Sequence, residues 1–239
     1  MGNSGSDFTL LQLFFLGGIF MWPLLLFSIA AVAIVLERSI YLIYHNLRVD
    51  DLKEKVQEAI RNGNLAGAGE FLARRSRRRM GARILLTLVN RSNLSEHRLE
   101  KAVEAEALNC VTSLENGFGF LTALGSLAPL TGFLGTVSGM IGAFKAISEA
   151  SEVNAQIVAS GIYEALITTV FGLCIAIVAM SAHSIFTHMV DKFASDVEIV
   201  CSDLIIEITE SKEFVKTPEL VKAPEFANEI ASPAEPSQK

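Results

Sequence analysis

GIYEALITTVFGLCIAIVAM, residues 161–180, is apolar enough to cross a bilayer, yet it carries a carboxylate, Glu164, followed closely by two hydroxyls, Thr168 and Thr169. A charged side chain at the centre of a membrane helix costs roughly 2.5–3.5 kcal/mol on insertion scales, so an intramembrane carboxylate marks an ion or substrate pathway by default. The reading of the whole chain turns on whether 161–180 is such a span.

Composition says that it is. The 239 residues are 51% hydrophobic and 19% charged, with mean hydropathy +0.41, too apolar for an ordinary soluble domain. Three windows exceed the roughly 18 apolar residues that a span needs: Leu10–Leu36, Phe118–Phe144 and Ile157–Phe186. The chain therefore reads as an all-α membrane protein with transmembrane helices at 10–44, 117–147 and 157–186. Three spans put the termini on opposite sides. Residues 1–36 and the connector 148–156 hold no Lys or Arg, whereas 45–116 holds thirteen. The positive-inside rule makes 45–116 cytoplasmic, which predicts a periplasmic N-terminus at 1–9, a periplasmic connector and a cytoplasmic C-terminus. The opening MGNSGSDF lacks a basic n-region, and neither the long apolar run nor its flank fits a cleaved signal, so span one is expected to persist.

Outside the spans, Leu52, Val56 and Ile60 recur at four-residue steps in DDLKEKVQEAI, followed by a break at NGNLAGAG, which predicts a small helical insertion. Asn93 is expected to cap a long helix, with Glu96 three residues on and Leu99, Val103, Ala107, Cys110, Val111 and Leu114 on one face, running without interruption into span two. After span three, Phe186, Met189, Val190, Phe193, Val197, Val200, Leu204 and Ile208 mark a cytoplasmic helix over 187–211. Spans two and three thus extend into a cytoplasmic helical bundle. The Pro-rich stretch 212–239 reads as a disordered tail.

Span two supplies a stripe of small residues, Gly132, Gly135, Gly139 and Gly142, at steps of three, four and three, the pattern that lets membrane helices approach closely. No Gly-Lys-Ser/Thr follows, so the stripe is not a phosphate loop. With a rise of about 1.5 Å per residue, Glu164 lies about 10 Å in from Ile157, Thr169 about 18 Å, and Thr136 about 16 Å from Ile147 on the antiparallel span. The carboxylate would sit above two hydroxyls of similar depth. Such a stack suits a narrow wet path, because a carboxylate takes up a proton and hydroxyls both donate and accept hydrogen bonds. The plainer alternatives are hydroxyls bonded to their own helix carbonyls and a Glu164 that snorkels outward.

Cys110 and Cys201 fall on the cytoplasmic side and Cys174 within span three, so neither a disulfide framework nor a metal site is expected. The four histidines lack metal spacing or a nucleophile partner, and no cofactor, enzyme chemistry or nucleic-acid partner is indicated. Arg74–Arg79 reads as a topology signal that contacts anionic membrane lipids, and Lys145 as a snorkelling side chain.

GGIFMWPLLLFSIAAVAIVLER (17–38), LAPLTGFLGTVSGM (127–140) and GIYEALITTVFGL (161–173) together resemble the MotA/TolQ/ExbB proton-channel family, in its ExbB/TolQ branch. The resemblance covers most of Gly17–Ile208. It implies a bacterial inner-membrane homo-pentamer surrounding an ExbD/TolR-like single-span partner, with a TonB- or TolA-like protein beyond it. It further implies that spans two and three line a pore in which Glu164 is the carboxylate and Thr136 and Thr169 the hydroxyls, while Thr168 has no clear family counterpart. The expected function is a proton channel or motor that uses proton-motive force for outer-membrane transport or envelope work. The alternative is a non-conducting membrane scaffold that assembles partner proteins.

Overall fold

A computed structural model describes residues 10–149 and 155–216, and every regular element among them is an α-helix. The helices are α1 (Leu10–Leu16), α2 (Met21–Tyr44), α3 (Asp50–Arg61), α4 (Leu65–Arg75), α5 (Met80–Asn90), α6 (Glu96–Glu115), α7 (Phe118–Glu149) and α8 (Ala155–Lys216). The N-terminal stretch 1–9, most of the connector and the tail from residue 217 lie outside the described residues.

Three helical stretches are long and apolar enough to cross a membrane: Met21–Tyr44, Glu96–Glu149 and Val158–Ser211. Their outward surfaces carry Trp22, Leu26, Ile29, Phe133, Ile141, Leu166 and Ile177, all more than half exposed. That apolar cladding has no place in water and belongs against lipid tails. The chain is an all-α membrane protein with three spans.

The first apolar segment is not one helix. Gly17 and Gly18 separate α1 from α2, and Gly18 takes φ +67, a left-handed conformation that glycine adopts without penalty. Two tight turns, Met21 N–H to Gly18 O and Trp22 N–H to Ile19 O, both 3.3 Å, then start α2. Pro23 consequently falls in the first turn of α2, where its missing N–H would have had no helical acceptor.

The expected continuous helix into span two is also interrupted. Asn116 and Gly117 divide α6 from α7, Gly117 with φ +91 against the Arg38 side chain of α2. Nor does Asn93 cap α6: a turn with Leu94 N–H donating to Arg91 O occupies that stretch, and Ser95 stands at the cap with extended φ −64, ψ 151. α8, by contrast, runs unbroken for 62 residues, about 93 Å at 1.5 Å per residue. It joins the membrane part of the molecule to the rest.

The lower half of α8 anchors a bundle with α3, α4, α5 and α6. Leu52, Val56, Ile60, Leu72, Ile84, Leu85, Leu88, Leu99, Val103, Phe193, Val197 and Leu204 form its buried core. The spacing that placed Leu52, Val56 and Ile60 on one face reflects 3.6 residues per turn. The Asn62–Asn64 break closes α3 with Gly63 N–H to Ile60 O and Asn64 N–H to Ala59 O, the Schellman pair. Asn64 then caps α4 by accepting from Gly67 N–H at 3.0 Å. Lys53 to Asp203 (2.6 Å) and Arg61 to Glu207 (2.9 Å) tie α3 to α8 at the surface, and such exposed pairs fix register more than stability.

Candidate functional site

α7 and α8 meet along a seam that has almost no side chains in it. A Cβ added to Gly132 would stand 2.7 Å from Thr168 O and 3.1 Å from Thr169 Cα. One on Gly135 would strike the Thr168 side chain, and one on Gly139 would come within 2.9 Å of Gly161 O. α8 answers with its own small residues: Gly161 faces Ala143 and Gly139, and Gly172 faces Ala128 O at 2.6 Å from where its Cβ would be. Gly161, Ala165, Thr168 and Gly172 step by four, three and four, the mirror of the span-two stripe and a signal the sequence reading passed over. Gly142 does not belong to the contact, since a Cβ there meets nothing within 4 Å.

The three threonines divide. Thr168 is fully buried in the seam, its Oγ1 2.8 Å from Ala165 O and 3.3 Å from Gly132 O, so its single proton serves its own helix or bridges to α7. Thr169, half-buried, donates across the seam to Gly132 O at 3.4 Å. Thr136 donates to Phe133 O at 2.7 Å on its own helix. Gly132 O is thus the point where the α8 hydroxyls reach α7.

Glu164 lies elsewhere. Five positions on an α-helix subtend about 140°, so Glu164 and Thr169 point to different sides of α8. Glu164 lines a cleft of about 660 Å³ near the end of the seam where α7 passes to α8, with Ser138, Gly139, Gly142, Ser160 and Gly161. The Gly142 position left empty by packing is part of this opening. On its far side the carboxylate rests on Gly18, at the junction of α1 and α2. No hydrogen bond joins Glu164 to a threonine among the described residues. Sequence reasoning placed the carboxylate and missed its seat, although a Gly-Gly pair interrupting an apolar run is a usable sign of broken helix.

An all-α molecule whose apolar spans enclose a backbone-tight seam, with an acidic group beside it and hydroxyls across it, belongs to the multi-pass membrane proteins. The profile of the MotA/TolQ/ExbB proton channel family matches residues 70–199, more than half of the chain. The chain belongs to this family, in its ExbB/TolQ branch. It is 33% identical over 208 residues to the ExbB-like biopolymer transport protein 1 of Synechocystis, covering 83% of this chain and 81% of that protein. It is 27% identical over 199 residues to the biopolymer transport protein ExbB of Salmonella typhimurium, with 78% and 79% covered. A shorter stretch of 86 residues is 42% identical to the Tol-Pal system protein TolQ of Haemophilus influenzae, 36% of this chain and 38% of that one.

Proposed function

We propose that this chain is the ring-forming subunit of a proton channel in the bacterial inner membrane, with its N-terminus in the periplasm and its C-terminus in the cytoplasm. It passes protons along Glu164, Thr136 and Thr169 to drive an ExbD/TolR-like single-span partner. The observation that carries the reading is Glu164 at an open cleft inside an otherwise apolar span, in a chain of this family. Its similarity to biopolymer transport proteins and to a Tol-Pal system protein supports an output in outer-membrane transport or envelope work, reached through a TonB- or TolA-like protein. Each elementary charge falling through the membrane potential yields about 2.3 kcal/mol per 100 mV, so a few protons supply a mechanical step.

Ring closure is part of the proposal. Within one chain Glu164 and the Thr136–Thr169 pair lie on different sides of the seam, so a continuous file of polar groups needs neighbouring copies, five in the expected pentamer, or the partner helix to bridge them. Thr168 drops out of the path, because its hydroxyl is wholly enclosed between α7 and α8. The same enclosure is what a non-conducting scaffold would use, and it keeps that alternative in view.

Proton flux into liposomes holding the chain with its co-purified partner separates the two. Glu164→Gln is expected to lower flux by about tenfold or more, the effect of raising a barrier by roughly 1.4 kcal/mol. Flux equal to that of the wild type would reassign Glu164 to structure and favour the scaffold.

A further inference from the structure

We propose that Gly18 is a positioning residue for the proton-carrying carboxyl: the bare Cα at the α1–α2 break seats Glu164 at the mouth of the α7–α8 cleft, so span one builds the site together with spans two and three. The inference rests on the reading of Glu164 as the group that carries the proton.

Two independent features converge on Gly18. Its φ of +67 belongs to the left-handed region, where a Cβ is strained against the following carbonyl. Its Cα is also where the Glu164 side chain comes down: an added Cβ would overlap Oε1 and stand 2.8 Å from Cδ. Neighbouring Gly17 differs, since the atoms nearest a Cβ there belong to the Met21 and Ile167 side chains. Irregular backbone at membrane depth persists where protein covers it or where it lines a cavity. At this break one side packs on Met21 and Ile167, and the other faces the carboxylate.

Among the described residues no charged group lines the cleft beside Glu164. Its wall from α7 is Ser138, Gly139, Gly142, Ala143 and Ala146, and from α8 Gln156, Ser160 and Gly161, none of them titratable. Lys145, the nearest cation in sequence on α7, is turned to Glu149 at 4.0 Å and does not line the cleft. The α1–α2 junction, residues 17–20, carries no charge. Shape bears on the carboxyl directly: it occupies the volume that any side chain at position 18 would claim. A methyl at Gly18 would push the end of the Glu164 side chain off its seat and into the open cleft, because the carboxyl is the movable partner.

The test compares Gly18→Ala, Glu164→Asp, the two combined, and Gly63→Ala, each as the complete chain with its partner in liposomes. Gly63 has φ +68 with open space around its Cβ position, so Gly63→Ala imposes the same backbone strain far from Glu164. Two readouts are taken: proton flux, and the rate at which a hydrophobic carbodiimide modifies residue 164, followed by peptide mass spectrometry. Gly18→Ala is expected to lower flux by about tenfold and to raise labelling severalfold. Glu164→Asp, shorter by one methylene, is expected to restore flux in the Gly18→Ala background, and Gly63→Ala to leave both readouts at wild-type values.

Wild-type flux and labelling in Gly18→Ala would overturn the proposal, as would a flux loss that Glu164→Asp leaves unrestored while labelling stays unchanged. Should Gly18→Ala not fold, Glu164→Asp alone decides: its carboxyl cannot reach Gly18, so labelling is expected to rise severalfold, and a wild-type rate overturns the seat. The parent reading fails separately, through Glu164→Gln conducting like wild type, while the labelling arm still reports whether Gly18 positions the carboxyl.

Discussion

The two halves of α8 are held to the molecule by opposite means. In the membrane half, Gly161, Ala165, Thr168 and Gly172 bring the backbone of α8 against the glycines of α7. In the C-terminal half, Phe193, Val197, Leu204 and Ile208 fill a core with large side chains. The solvent explains the contrast. Lipid tails are as apolar as leucine, so Ile167 and Ile175, which meet Met21, Leu24 and Leu124 there, gain packing contacts but little from the hydrophobic effect, and association relies on close approach and hydrogen bonds across the interface. In water the removal of apolar surface is the main driving force. One continuous helix thus obeys two packing rules, and the changeover falls near Ala179–Phe186.

The largest expected effect tests the packing rule of the C-terminal half. Phe193→Ala, at a side chain 1% exposed, is expected to destabilise the bundle by about 3–5 kcal/mol. Hydrogen exchange read by mass spectrometry should rise across α3–α6 while the α7–α8 seam keeps its protection. Loss of protection in both halves together would show that they unfold as one unit and would break the comparison. Next comes the membrane rule: Gly132→Ala places a methyl against backbone that cannot rotate away, an overpacking worth about 1–3 kcal/mol. Gly142→Ala, with nothing within 4 Å, serves as the matched change and is expected to hold or slightly raise the thermal midpoint in detergent, since alanine favours the helix over glycine.

Much of this was legible before any coordinates. Apolar run length marked the spans, and heptad-like spacing marked the buried faces at Leu52, Val56 and Ile60 and at Phe193, Val197 and Leu204, because both follow from helix geometry alone. The stripe Gly132, Gly135, Gly139 was visible for the same reason, but Gly142 extended it one step too far, since spacing gives a face and not where the facing helix diverges. Three local features were out of reach. The nick at Gly117 and the seating of Glu164 on Gly18 depend on what stands opposite each glycine, Arg38 in one case and the carboxylate in the other, although the Gly17–Gly18 pair itself was a sign of a broken helix. The partition of the threonines depends on which side of α8 meets Gly132 O. Depth along the axis, the quantity used to stack Glu164 over Thr169 and Thr136, says nothing about angle around it.

Cysteine chemistry sharpens the contrast at intermediate size. Burial pushes the Cys201 thiol of the C-terminal half up to about 12. It pushes Cys110 on α6 up to about 11, with Arg83 pulling downward and Glu106 upward. Both start from an ordinary value of 9.0. Above that pH the unfolded chain loses the thiol protons while the folded chain keeps them, so folded protein binds more protons and stability falls as pH rises. Below it the thiols contribute no pH dependence. The expected loss is roughly 1 kcal/mol per thiol one pH unit above the ordinary value. Urea titrations of wild type and of Cys201→Ala at pH 8 and pH 10 check this: the decline should be shallower in the variant, and equal slopes would refute the assignment. Maleimide should spare both residues in the folded protein at neutral pH.

The smallest effect bears most directly on the site. Thr168→Val keeps the shape of the side chain and removes one hydroxyl from the seam. Hydrogen bonds between membrane helices average about 0.6 kcal/mol in direct tests, and Thr168 shares its proton with Ala165 O on its own helix, so the loss in stability should be no greater. A buried valine also leaves no donor stranded, and any unmet lone pair falls on carbonyls that helix N–H groups already serve. If Thr168 is a seam residue, proton flux in Thr168→Val stays near wild type while Thr169→Val, at the half-buried neighbour, lowers it. The reverse pattern would put the path through the seam itself. Glycine contacts between α7 and α8 would then have to open during each transfer, and close packing in the membrane half would be a moving part instead of a fixed frame.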